Sequence, residues 1–223
     1  MATGTASTPP SRASSGSHAA PRARPTRVGR ALGITLAAAC VALLAAFVWA
    51  HVAFPSDRTP QGAYLRVVIA VNRGRAQDFF AYTETRAQHA CYTIHDYRKK
   101  TRERVLSSFP EPERSRLAAQ YAEEAAAPDG ADVLAIYARQ NGWMNRLRKD
   151  MSGIAHVDEQ GERATVQTAH GTRYPFRRRD NGIWGLTLFT ATLSAEAEKA
   201  ARDLALIEKA ASDYEHAAKA DGK

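Results

Sequence analysis

Cysteine is nearly missing: the 223 residues hold two, Cys40 and Cys91. That excludes a scaffold stapled by disulfides and a structural zinc site built on cysteines. The glycine-rich phosphate loop, the dinucleotide fingerprint, His-Glu-x-x-His, Gly-x-Ser-x-Gly and the calcium-loop spacing are also absent, which removes the commonest recognisable enzyme classes. Acidic residues are missing from the first 30 positions, where Arg12, Arg22, Arg24, Arg27 and Arg30 stand without a counter-charge. This arm carries +5 of the formal net charge of +8, so the rest of the chain is close to neutral and does not read as a polycation. The arm is rich in Ser, Thr, Ala and Pro and holds too little apolar surface to offset the entropy of ordering; 1–30 is expected to be a disordered basic segment.

The next segment is greasy. Residues 31–54 are apolar apart from Gly33, Thr35 and His51, and no charge falls between Arg30 and Asp57. A helix of that length reaches roughly 36 Å, enough to cross a hydrocarbon core of about 30 Å with some tilt. Trp49 and Phe54 lie at its far end, where aromatic rings favour the interface. Five arginines before the run, against Arg58 and Arg66 soon after it, predict a cytoplasmic N-terminus. The expected location is the bacterial inner membrane, with the remainder of the chain in the periplasm or outside the cell. Three other readings exist: a signal peptide cleaved after 48–50, a lipoprotein signal using Cys40, and a mitochondrial transit peptide, since the leader is Arg- and Ser-rich and acid-free. With Cys40 in the bilayer and Cys91 beyond it, the exported domain has one thiol and must rely on its core. Nucleic acid is not a partner for an exported domain.

Residues 55–60 read as a polar linker, and 61–193 as an α+β domain. Ala63, Val67, Ala70 and Val71 recur at helical spacing over 60–73, and Gly74 suits a left-handed cap. Further helices are predicted from Ala76, over 86–108 up to the prolines at 110 and 112, over 113–127, and on both sides of Asn141-Gly142. Beyond Gly153 the period changes to two. A three-residue loop with Gly182 in the left-handed position pairs Arg178 with Trp184, Phe176 with Leu186 and Tyr174 with Leu188, which makes one face apolar. The same loop at Gly171 pairs Val166 with Tyr174 and Ala164 with Phe176; applied at Gly161 it places Ile154 and His156 on that face too. The prediction is a four-stranded antiparallel meander over 154–189. A last helix, over 194–223 with Ser194 as N-cap, repeats Leu193, Ala197, Ala200, Leu204, Ile207, Ala211, Tyr214 and Ala218 as a heptad seam. That seam either packs on its own domain or joins a second copy or another protein.

The helix pair joined by Asn72-Arg73-Gly74-Arg75-Ala76 and the closing Asp180-Asn181-Gly182-Ile183-Trp184-Gly185-Leu186 give the chain its one resemblance. It resembles membrane-anchored bacterial members of the nuclear-transport-factor-2-like superfamily, whose helix pair ends in a Gly-Asp step and whose late strand reads Asp-Gly-x-Trp-x-Leu. Arg75 stands where an Asp is usual, and 86–150 read as helical where the family has an early strand. The resemblance implies a curved sheet cupping a pocket, used for catalysis in some members and for binding or assembly in many. It carries no catalytic residue onto this chain.

The covered sheet face supplies a candidate pocket of His156, Tyr174, Phe176, Arg178 and Trp184, in which His156 is the only candidate base. Arg178 could instead lie over Trp184 as a cation–π pair. Cys91 and His95 are helical i,i+4 neighbours and form a second candidate, a thiolate–imidazole pair or half a metal site. Cys91 also lies on the apolar stripe of Ala87, Ile94, Thr101 and Val105, where a free cysteine is an ordinary core residue. The basic stretches 98–104 and 177–179 read as solvated faces or contacts for anionic headgroups. No cofactor and no metal is implied. The expected function is a single-pass membrane protein whose exported domain binds or scaffolds a partner without catalysis. The alternatives are a pocket enzyme using His156 or Cys91/His95, and a coiled-coil subunit assembled through 194–218.

Overall fold

The structure, a computed structural model, describes residues 39–47 and 55–221. Contacts divide the chain into two units, 1–53 and 54–223. In the first, 39–47 are helical with exposed side chains. The predicted arm 1–30, and the predicted span 31–54 apart from 39–47, lie outside the described residues. Among the described residues no helix is long and apolar enough to cross a membrane.

The second unit is α+β, with helices packed on a four-stranded antiparallel sheet. Helix α1 (Pro60–Asn72) starts with Pro60 in its first turn and with Thr59 as N-cap, whose hydroxyl accepts from the Gly62 amide at 3.2 Å. Its predicted apolar positions Ala63, Val67, Ala70 and Val71 are buried together with Tyr64. Gly74, at φ 72°, lets the Arg75 amide return to the Ala70 carbonyl and close the helix. The next segment, Ala76–Tyr82, is a 3-10 helix rather than an α-helix and buries Phe79. Extended residues bracket it, Arg75 before and Thr83 after, which leaves seven residues for a tight coil.

Helix α2 (Thr85–Ser108) buries the expected stripe, with Arg98 added to it. The predicted helix over 113–127 is broken into α3 (Glu113–Gln120) and α4 (Ala122–Ala125). Tyr121 leaves the helical region at the break, and its ring lies buried beneath the Arg98 guanidinium, 5.1 Å from the ring centre. Helices α5 (Gly130–Gln140) and α6 (Trp143–Asp150) flank Gly142 as predicted. Asp129 caps α5 by accepting from the amides of Ala131 and Asp132.

The sheet runs β1 (Ile154–Gln160), β2 (Arg163–Thr168), β3 (Arg173–Arg178), β4 (Trp184–Leu186), each strand beside the next. The register at Gly182 and Gly171 is the predicted one: Phe176 opposite Leu186, Arg178 opposite Trp184, Val166 opposite Tyr174 and Ala164 opposite Phe176. Strand β4 ends at Leu186, so Leu188 does not continue the ladder opposite Tyr174 and is 46% exposed. The register at Gly161 differs from the prediction. Gln160 pairs with Arg163 across a two-residue loop, and a bulge between Ile154 and His156 shifts the strand. Ile154 stays on the covered side opposite Thr168, while His156 comes opposite Gln167 and is exposed. A single extra residue inverts every side chain beyond it, which is why His156 leaves the inner face.

Helix α7 (Thr190–Asp221) begins one turn before Ser194, because Phe189 is docked in the core and the Leu193 amide already bonds to its carbonyl. Leu193, Ala197, Ala200, Ile207 and Ala211 are buried. The lower part of this seam meets Val105, Phe109, Ala118 and Tyr121 in a second, smaller core. The seam is thus packed within the chain from Leu193 to Ala211, while Tyr214 and Ala218 at its end are exposed. Higher up, Arg98 Nη1 donates to Asp203 Oδ2 at 2.5 Å and ties α2 to α7. Arg98 is 5% exposed, so the reading of 98–104 as a solvated face fails at its first residue.

Two outcomes test this packing. A Cβ on Gly185 would lie 2.6 Å from the Thr83 carbonyl oxygen, whereas one on Gly153 would meet nothing within 4 Å. In urea titrations Gly185→Ala should cost about 2 kcal/mol and Gly153→Ala less than about 0.5 kcal/mol. Asp203→Ala strands the buried Arg98 charge and should cost about 3 kcal/mol, most of which the double variant Arg98→Met/Asp203→Leu should restore.

Candidate ligand-binding cleft

Helix α6 carries Trp143, Arg146, Leu147 and Asp150 at i, i+3, i+4 and i+7, so one face presents all four side chains. Trp143 and Leu147 face inward and are buried. Phe189, held at the start of α7, stacks on Trp143 with ring centres 4.2 Å apart and planes 17° apart. Opposite this helix face lie Thr172, Arg173 and Tyr174 at the start of β3, with Leu188 and Thr192 beside Phe189. Together they enclose a cleft of about 340 Å³, within the range that small-molecule sites occupy.

Tyr174 is the one member of the predicted pocket that lines this cleft. It is 2% exposed, its ring lies 5.5 Å from that of Tyr64, and its hydroxyl has no hydrogen-bond partner among the described residues. Burial pushes its phenol up, and the neighbouring Tyr64 and Asp150 push it the same way. The Tyr64 hydroxyl is satisfied, donating to the Ser152 carbonyl at 2.8 Å.

The remaining predicted site residues go elsewhere. Phe176 and Trp184 share the Tyr174 face but are 2% and 1% exposed, packed as core rather than arranged around a cavity. Trp184 Nε1 donates to the Arg58 carbonyl at 3.1 Å, so its ring anchors the stretch read as a polar linker. Arg178, at the hairpin end, is exposed and lines a separate cleft with Arg86, His89, Glu162 and Arg177. Its neighbours are occupied: Arg177 lies 3.6 Å from Glu84, and Arg179 donates to the Ala81 carbonyl at 2.6 Å and to Gln88 Oε1 at 2.9 Å. Arg177 and Arg179 therefore fasten the sheet to the start of α2 and to the 3-10 segment before it. His156, on the outer side, has no part in either cleft.

The Cys91/His95 pair also separates chemically. Cys91 is fully buried, and burial pushes its thiol up to about 12, so it holds its proton at neutral pH. Among the described residues no group of three or more His, Cys, Asp or Glu side chains is placed to hold a metal ion. Sequence reasoning missed Trp143, Leu147, Asp150 and Phe189 as a site because their helical spacing reads equally well as core. Comparison with family models, with curated proteins and with solved structures finds no match for the chain.

The thiol gives a pH dependence of known sign. Unfolded, Cys91 loses its proton near 9; folded, it keeps it to about 12. The unfolded state binds fewer protons between these values, so stability present below pH 9 should fall as pH rises through this window. The raised phenols of Tyr64 and Tyr174 act in the same direction. Unfolding free energy measured at pH 8 to 10.5 should therefore drop less steeply in Cys91→Ala than in the parent chain.

Proposed function

We propose that the chain is a membrane-tethered binding protein: a single pass over 31–54, an N-terminus in the cytoplasm, and an exported domain that captures a ligand or partner without transforming it. The observation that carries this reading is the contrast between the inner sheet face and the α6 cleft. The face on which a cone-shaped pocket enzyme would place its chemistry is filled by Tyr64, Tyr174, Phe176 and Trp184. The open space lies beside it, lined by aromatic, aliphatic and singly placed charged groups that suit recognition. The candidate base, His156, is turned to the outside by the β1 bulge, and the candidate nucleophile, Cys91, is a buried neutral thiol.

The resemblance to nuclear-transport-factor-2-like domains belongs to the same proposal. It is supported by the order of helix pair and closing meander, whereas the long helix α2 stands where the family has its early strand. The location rests on the uncharged run and on the five arginines before it. Assembly through 194–218 has less support, since the seam that would meet a partner helix is buried against the chain's own α2 and second core.

Reporter fusions test the topology. Alkaline phosphatase joined after Lys223 should be active in intact bacterial cells, and β-galactosidase at the same point should be inactive. The reverse pattern would place the domain in the cytosol and overturn the reading.

A further inference from the structure

The cleft has two unlike ends. From Trp143 to Asp150 is two helical turns, about 10 Å. At one end lie the stacked rings of Trp143 and Phe189; toward the other lies Asp150, close enough to Tyr174 to raise its phenol, and Thr172 and Arg173 complete the lining. Leu147 forms the wall between them and Leu188 the exposed rim. Its charged lining residues are Arg146 and Arg173 against the single acidic residue Asp150. Arg146 is partly engaged, donating to the Asn141 carbonyl at 3.1 Å, while Arg173 is exposed and makes no ion pair among the described residues.

From this arrangement we infer that the cleft binds a small amphiphilic anion, a flat apolar body carrying one carboxylate or sulfonate. The inference rests on the binding reading above and names the ligand class for that site. The apolar body lies along Leu147 and Leu188 toward the Trp143–Phe189 stack, where aromatic surfaces favour a third ring. The anionic group meets the Arg173 guanidinium, whose planar fork matches two oxygens at once. The buried Tyr174 hydroxyl, which lacks a partner, is a donor that a ligand oxygen entering between Asp150 and Arg173 would satisfy. Asp150 sets a limit on the charge: it disfavours a second negative group, so a dianion gains nothing at this end. A volume of about 340 Å³ admits a body of two fused rings.

The test uses the full chain in lipid nanodiscs, titrated calorimetrically with 1-naphthoate, with empty nanodiscs as the blank. The oppositely charged 1-naphthylmethylammonium is the control probe. Two rim variants, Arg173→Glu and Leu188→Asp, change exposed side chains and leave the core intact; an unchanged unfolding temperature verifies this. Naphthoate should bind the parent chain saturably, and Arg173→Glu should weaken it at least about tenfold, the effect of losing a charge-assisted hydrogen bond. Leu188→Asp should weaken it in the same direction, and the ammonium probe should bind Arg173→Glu better than the parent. Equal or tighter binding of the ammonium probe to the parent chain overturns the anion assignment while leaving a binding cleft. An unchanged naphthoate affinity in Arg173→Glu moves the ligand away from this end and overturns it as well. Silence from both probes removes the cleft as a ligand site altogether. None of these outcomes alters the membrane topology, which the fusions decide separately.

Discussion

Strand β4 is three residues long, and four parts of the domain depend on it. Trp184 pairs with Arg178, and its indole and backbone amides both donate into the 55–60 segment, at Arg58 and Asp57. Gly185 passes so close to Thr83 that no side chain fits between them. Leu186 bridges Thr83, and its carbonyl accepts from the Glu84 amide at the start of α2. Three residues on, Phe189 stacks on Trp143 and starts α7. A strand this short contributes little ladder energy of its own. Its value is positional: one buried indole, one glycine at a close approach and one aliphatic side chain hold the first helices, the sheet and the last helix at fixed distances. The cleft inherits that rigidity, since its aromatic end is the point where this strand hands over to α7.

Electrostatics act in a second, separate place. Arg98 sits on the apolar stripe of α2, and its charge is met by Asp203 from α7 and by the Tyr121 ring from the break between α3 and α4. Pairing a buried charge through several contacts selects one arrangement of helices over its neighbours even where the net stabilisation is small. The heptad seam of α7 would tolerate a shift by one repeat against α2; a single buried guanidinium with one carboxylate partner would not. Farther along, Arg104 and Ser108 both reach Glu215, at 2.6 and 2.8 Å, and continue the same alignment toward the end of α7.

Where the chemistry sits follows from these constraints. Of the two side chains singled out as reactive, Cys91 is sealed in the core and His156 is turned outward, while the cleft is lined by other residues, Asp150 and Tyr174 among them. The Tyr174 hydroxyl, like Thr168 Oγ1, is buried without a hydrogen-bond partner among the described residues. A buried donor without an acceptor costs free energy unless something else fills the role. Tyr174 belongs to the core and lines the cleft as well.

Much of the fold was legible from residue order. Helical spacing located α1, α2, α5 and α6, and the glycines at 74, 171 and 182 marked turns that take positive φ. Requiring one coherent apolar face was enough to set two of the three strand registers. Two of the differences from the local reading have separate causes. At Gly161 either loop length keeps an acceptable pattern, because β1 is an edge strand with mostly exposed side chains and little burial to choose between registers. At 113–127 the alanine-rich sequence is helical throughout, and only the need to place the Tyr121 ring under Arg98 breaks it. By itself, then, the sequence determined the periodic elements and the faces they bury, because these depend on neighbours within a turn or a hairpin. The tertiary structure alone decided that Arg98 is buried, that His156 faces out and that Trp143, Asp150, Tyr174 and Phe189 share a cleft, because each depends on contacts between segments that no local spacing records.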